Sequence, residues 1–403
     1  MRKIDIPIID RLDDLSTASS TNNYLVELLK KNIKKDELSK EELINLYDIN
    51  NKNINMSYLD KILIDRIVSM RDIYMDMSKI FDCKIEEVTN DSEEVINHPD
   101  KYVVLLGDIE VPRFYEKVVS NLKYISGNVI ITDYRDNYFL SNLMYVGGNI
   151  YSQEETTNLN NLKSIRFEAR FDGLIDAKGL NNLRYIGNNA HFDKLENADG
   201  LDNLEYIGNN AYFHSLNEAK HLSKLKCIGN YAFFNSLKSS IGFENITELN
   251  LADFPCLQDA SGLCNLKIIK GNANFNTLEY SYGLNKLEYI AGDADFSNLI
   301  DATGLTSLMY ISGDFDIQRL KSAQGLEKLA IIGGDANFRS LQSMNDLVSL
   351  KHIDGTVLFK SLKDLTELDR LLCIDGINYY SNITEDDIDS IIKKKIKLAH
   401  WNK

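Results

Sequence analysis

Proline is scarce in this chain, four residues in 403, and tryptophan occurs once. With abundant Asn, Ile and Lys, that composition fits an AT-rich genome. Basic charge is short as well: 45 Lys and Arg stand against 60 Asp and Glu, a formal net charge of −15. Phosphate backbones and anionic membrane surfaces require clustered basic groups, so neither nucleic acid nor membrane is expected as a partner. A protein partner, one with a basic segment in particular, fits better. No apolar run reaches the roughly 18 residues of a membrane-spanning helix. The opening MRKIDIPIIDRLDDLSTASS is interrupted by Asp5, Asp10, Asp13 and Asp14, and so lacks the apolar stretch of about 7 to 15 residues that marks a secretory signal. Cys83, Cys227, Cys256, Cys264 and Cys373 are odd in number and form no C-x-x-C pair, which suits free thiols in a reducing compartment. The expectation is cytoplasmic residence, with secretion by a signal-independent route as the alternative.

Catalytic signatures are missing too. His98, His191, His214, His221, His352 and His400 are scattered, with no H-E-x-x-H and no cysteine at zinc spacing. Neither G-x-x-x-x-G-K-[ST] nor G-x-S-x-G occurs, and the glycine pairs recur at one place in a repeat. The sequence therefore points to a protein that is not an enzyme and takes no cofactor and no metal, although chemistry assembled from distant residues leaves no motif.

What is present is a period. LRYIGNNAHFDKLENADGLDN, from Leu183, and LEYIAGDADFSNLIDATGLTS, from Leu287, align without a gap over 21 residues. With that leucine as position 1, the anchors are Leu122, Leu143, Leu162, Leu183, Leu204, Leu225, Ile246, Leu266, Leu287, Leu308, Leu329, Leu350 and Leu371. Ten of the twelve intervals are 21 residues and the others are 19 and 20. Chance apolar spacing does not hold phase through so many steps. Alternation at positions 8 to 10, as in A-x-F, predicts one short strand per coil with an inward Phe column. Positions 13, 16, 19, 1 and 4 step by three, which predicts an arc of 3₁₀-like turns lined by leucines such as Leu180, Leu201 and Leu222. Small Ala at position 16 implies close backbone approach, and Gly at positions 5, 6 and 18 supplies corners.

The phrase LxxIxGxAxFxxLxxAxGLxxLxYI resembles bacterial leucine-rich repeats, of the receptor L-domain kind and of short bacterial solenoids, over roughly 60% of the chain. The resemblance departs from the common LxLxxNxL strand, because the regularly placed Asn is lacking. The expected fold is an α+β repeat protein: an LRR-like β-solenoid with a single strand per coil. Its expected parts are a helical region at 1–100, a degenerate capping coil at 101–121, a solenoid of about 12 to 13 coils at 122–380, and a C-terminal capping helix at 381–403.

Three helices are expected in the first part. One covers residues 22–35. A second opens on the capping box Ser39 to Glu42. A third, methionine-rich, covers 57–81 as one piece. At the far end, Thr384 to Asp387 would open a helix that Lys393, Lys394, Lys395 and Lys397 close, charges that complement the helix dipole.

The outward strand position 9 carries the functional expectation. Aromatic residues gather there before the 20-residue interval, in Tyr151, His191, Tyr212 and Phe233, with Tyr231 beside them at position 7. Carboxylates follow, in Asp293, Asp295, Asp314 and Asp316. Exposed Tyr and Phe on a strand face are usual interface anchors; stacked carboxylates repel, unless a basic partner or a cation neutralises them. Aromatic neighbours also stabilise sheets, and Asp after Gly is a common turn residue. The expected function is a non-enzymatic binding scaffold; the alternative is a host-directed bacterial effector or toxin-associated protein on the same solenoid, and an enzyme sited in the helical region comes last.

Overall fold

A computed structural model describes residues 20–33, 37–49, 58–111, 119, 121–132, 140–153, 158–363, 368 and 370–379. The expected C-terminal helix at 381–403 lies outside the described residues. Among them, no helix is long and apolar enough to cross a membrane.

The chain winds into a parallel β-solenoid of 21-residue coils. Each arc is made of three-residue turns, as the spacing predicts: Leu174 N–H donates to Phe171 O (3.1 Å), Leu180 to Ala177 (3.0 Å) and Leu183 to Leu180 (2.8 Å). Every such step turns one apolar side chain inward, so Leu174, Ala177, Leu180 and Leu183 are fully buried. Register is in phase from coil to coil, with Ala190 opposite both Ala169 and Ala211.

The inward phenylalanines form a continuous column. Phe171, Phe192, Phe213, Phe234, Phe254, Phe275 and Phe296 follow one another with ring centroids 5.1 to 5.7 Å apart. One coil exchanges two positions: Phe315 takes the place of the strand Ala and Ile317 that of the Phe, both buried. Volume is conserved, and Phe315 meets Phe296 and Phe338 edge-on instead of stacking.

The coil carries a second strand where the sequence suggested only a turn. Besides the face strand at positions 8 to 10, residues 3 and 4 form a two-residue strand, as in Tyr185–Ile186 and Tyr206–Ile207, which pair in parallel. The expectation of one strand per coil is corrected to two. The gap between them is the glycine corner, and these two residues are already extended as they enter it. Two glycine positions are demanded by the stack itself. At position 18, Gly200 has φ +110° and a Cβ there would lie 2.1 Å from Ala177 O; at position 6, a Cβ on Gly313 would lie 2.2 Å from Asp293 Oδ1 of the preceding coil.

The single-residue deletion falls in this corner. Gly229, Asn230 and Tyr231 of one coil face only Asn250 and Leu251 of the next, with Tyr231 paired to Leu251. The face ladder passes through it undisturbed. The corner ladder does not: an eight-stranded sheet ends at Cys227–Ile228, and Glu248–Leu249 pairs onward with Ile268–Ile269. The Asn250 side-chain amide donates to Gly229 O across the break.

Residues 101–121 are a coil of the array in their described part, since Val104–Leu105 pairs with Tyr124–Ile125 and Ile109–Val111 with Val129–Ile131. Val88–Thr89 adds one more rung before it. In front stand helices α1 (Ser20–Ile33), α2 (Lys40–Leu46), α3 (Tyr58–Val68) and α4 (Ile73–Phe81), with α5 (Ser92–Asn97) between the first rungs. The expected capping box opens α2: Glu42 N–H donates to Ser39 Oγ, and Glu42 Oε2 accepts from Ser39 N–H. The expected third helix at 57–81 is corrected to two. Asp72 in extended conformation accepts from Tyr74 and Met75 N–H and so starts α4 anew.

Buried ion pairing joins these helices. Arg71 grips Asp76 with two bonds (2.6 and 2.7 Å), Tyr47 donates to the same carboxylate (2.8 Å), and Arg71 reaches Asn32 of α1 (3.0 Å). Burial and that carboxylate hold the Tyr47 hydroxyl well above the usual phenol range. The helical layer packs on the array, sharing a core with Val88, Val103, Val104 and Tyr124, where Phe81 stacks on Tyr124 at 5.3 Å.

Candidate functional site

The face ladder presents position 9 outward, and its first half is a row of interacting side chains. His191 stacks on Tyr212 (centroids 4.5 Å, 11°) and Tyr212 on Phe233 (5.1 Å, 13°). Parallel pairing at identical positions forces this, because each ring stands directly above its neighbour. Tyr231 meets Phe233 edge-on at 5.8 Å and is 42% exposed. Tyr151 stands apart from the row, since Arg170 lies between it and His191 in the ladder.

Around the upper end of this row lies a polar group that no linear motif announces. Glu168, Arg170 and Asp172 come from one coil, His191 and Asp193 from the next, and His214 from the third. Arg170 Nη2 donates to Glu168 Oε1 (3.1 Å), and this bond holds the guanidinium charged. Glu168 Oε1 lies 2.6 Å from His191 Nε2, Asp193 Oδ2 lies 3.8 Å from His191 Nδ1, and Asp193 Oδ1 lies 3.2 Å from His214 Nε2. His214 Nδ1 faces Asn235 Oδ1 at 2.7 Å. Burial raises the Asp172 carboxyl above its ordinary value, with Arg170 opposing and Asp193 adding to the shift. Only His191 of this group was singled out from the sequence; the others become visible once positions 7, 9 and 11 of three consecutive coils are written side by side.

The second half of the face is built differently. Asp293 Oδ1 accepts Asp314 N–H (2.9 Å), Asp314 Oδ1 accepts Asp335 N–H (2.7 Å), and Asp335 Oδ1 accepts Thr356 N–H (2.7 Å). Asn272 does the same for Asp293 (3.0 Å), so the position is a corner acceptor that Asn or Asp fills. At position 9, Asp295 accepts from Ser297 N–H and Asp316 from Gln318 N–H, both at 2.9 Å. The Asn337 amide donates to Asp316 Oδ2 (3.0 Å), and Asn274 donates to Asp253 (2.8 Å). Backbone and Asn donors thus offset much of the repulsion expected of a carboxylate stack.

The corner ladder offers a contrasting feature. Ser164 stands where Tyr145, Tyr185 and Tyr206 stand in other coils, and an open niche of about 550 Å³ lies there between Tyr145 and Tyr185. Its basic groups are engaged: Arg184 pairs with Glu205 at 3.0 Å, and Lys163 Nζ sits 5.8 Å above the Tyr145 ring.

A scan against known protein families finds none that matches this chain, and a search of curated proteins finds no match either.

Proposed function

We propose that the chain is a non-enzymatic scaffold of the bacterial leucine-rich-repeat kind, which holds a protein partner along its strand face. The observation that carries this reading is the His191–Tyr212–Phe233 stack with the exposed edge of Tyr231 beside it. A rigid row of aromatic edges on a pre-formed sheet costs little ordering entropy on binding, which is why such residues serve as anchors. Asp293, Asp295, Asp314 and Asp316 continue the face as a fixed row of negative charge. In a chain of net charge −15, that row favours a partner segment bearing Lys or Arg. Four described cysteines, Cys83, Cys227, Cys256 and Cys264, are free thiols, which supports a reducing, cytoplasmic setting.

The test is comparative capture. Wild-type chain, Tyr212→Ala with Phe233→Ala, and a control Tyr282→Ala on the arc are each used to recover partners, and recovered proteins are retested as purified components. A partner lost by the double variant and kept by the control supports the strand face. Equal recovery by all three sinks it.

A further inference from the structure

His191 and His214 turn toward the same carboxylate. Asp193 Oδ2 is 3.8 Å from His191 Nδ1 and Asp193 Oδ1 is 3.2 Å from His214 Nε2, while one ligand atom each of Asp172, His191 and Asp193 lies within 4.8 Å of the others. The far nitrogen of His214 is already engaged, and that of His191 is buried with no hydrogen-bond partner. His214 Nδ1 is 2.7 Å from Asn235 Oδ1, and His191 Nε2, sealed from solvent, lies 2.6 Å from Glu168 Oε1 without forming a hydrogen bond to it. A neutral imidazole carries one proton, and in His214 the Asn235 side-chain oxygen claims it. The remaining lone pair of His214 then faces Asp193, which is unfavourable unless the ring takes a second proton or a cation lies between them.

An imidazole whose outer nitrogen is held by a carboxylate or amide oxygen, with its inner nitrogen bare, is set up as a metal ligand. Charge agrees. Glu168, Asp172 and Asp193 against Arg170 leave two uncompensated negative charges, the complement of one divalent ion. The ring of His191 is further fixed by its stack on Tyr212.

We propose that Asp193, His191 and His214, with Asp172, bind one first-row divalent metal ion such as Zn²⁺ on the strand face. Mixed imidazole and carboxylate donors select Zn²⁺, Co²⁺, Ni²⁺ or Cu²⁺ over Mg²⁺ and Ca²⁺. Asp172, His191 and Asp193 reach bonds of about 2.0 to 2.2 Å by small side-chain shifts, and His214, outside that group, by turning further toward Asp193. The ion sits on a finished scaffold, so the fold does not depend on it. It closes the upper end of the aromatic row.

The experiment uses the full chain stripped with EDTA and titrated at pH 7.5 with Zn²⁺ by calorimetry, and with Co²⁺ by visible absorption. The expected result is one equivalent per chain, with affinity at least tenfold lower in Asp193→Asn and in His191→Gln. Circular dichroism of each stripped variant separates ligand loss from misfolding, and His214→Gln, at a more exposed site, supplies the same readout should His191→Gln not fold. His221→Gln removes the other His and carboxylate group, Asp199–Asp202–His221, and is expected to leave binding unchanged. The proposal is overturned by absence of saturable binding, by undiminished binding in Asp193→Asn, by loss in His221→Gln, or by equal competition from Ca²⁺.

Discussion

The two halves of the strand face share a coil and a core but spend their polar atoms differently. After the deletion, the carboxylates accept from backbone N–H groups of their own coil or the next and from Asn amides, although the side-chain oxygens of Asn276 and Asn337 are buried without a hydrogen-bond partner. Before it, Glu168, Arg170, Asp172, His191, Asp193 and His214 contact chiefly one another, yet Arg170 Nε and His191 Nε2 are buried without a hydrogen-bond partner and Glu168 stands 2.6 Å from that imidazole nitrogen. A repeat that merely needs to stack resolves to the first arrangement. The second costs stability, and such departures are where function is expected.

The comparison can be broken at the core first. Phe213→Ala before the deletion and Phe296→Ala after it remove rings of one column, so each is expected to cost about 3 to 5 kcal/mol in denaturant unfolding, within a single transition. A loss below about 1 kcal/mol at either site would mean that the halves do not share that core. Next comes the corner. Gly313→Ala places a methyl against Asp293 Oδ1 and should cost about 1 to 3 kcal/mol, whereas Asn209→Ala, at the equivalent corner of the first half, should cost under about 0.5 kcal/mol. Equal costs would show that the Gly–Asp interlock is not what fixes the second half. Smaller again is the acceptor itself: Asp314→Ala strands Asp335 N–H and should lose about 1 kcal/mol, while Asp314→Asn stays within about 0.5 kcal/mol because Asn272 already fills that role.

The smallest effect is a pH dependence on the arc of the second half. Hydrogen bonds from Thr303 hold the Asp301 carboxyl below its ordinary value. Its stabilisation is therefore present above the unfolded value and lost as pH falls through the lower folded one. Asp301→Asn should cost under about 0.5 kcal/mol at pH 7, given the solvent screening there, and the gap from wild type should close below about pH 4. Melting curves at pH 7 and pH 3 decide it; a gap that widens in acid would reverse the assigned direction.

The solenoid was legible because its anchors are apolar and periodic, and burial reads them without ambiguity. Leu183, Phe192 and Ala198 recur at fixed offsets and all are buried. The second strand was not legible, since two residues such as Tyr206–Ile207 are too short to show alternation. The break between α3 and α4 had its signal in Asp72, but the methionine-rich stretch expected as one helix over 57–81 obscured that cap. The polar group on the face was hidden for another reason. Asp172, His191 and Asp193 stand 19 and 21 residues apart, a distance that carries no meaning until the pitch of the coil is known and then places them side by side.

The interrupted corner ladder has a mechanical consequence. Hydrogen bonds in both ladders run across the strands, along the axis of the array, so tension applied at its two ends loads the rungs in series and peels them one after another. At the junction of Ile228 with Leu249 the face ladder and the arc carry that load without the corner strands. Under force, the solenoid should part there first, dividing the aromatic half of the face from the acidic half at their natural seam.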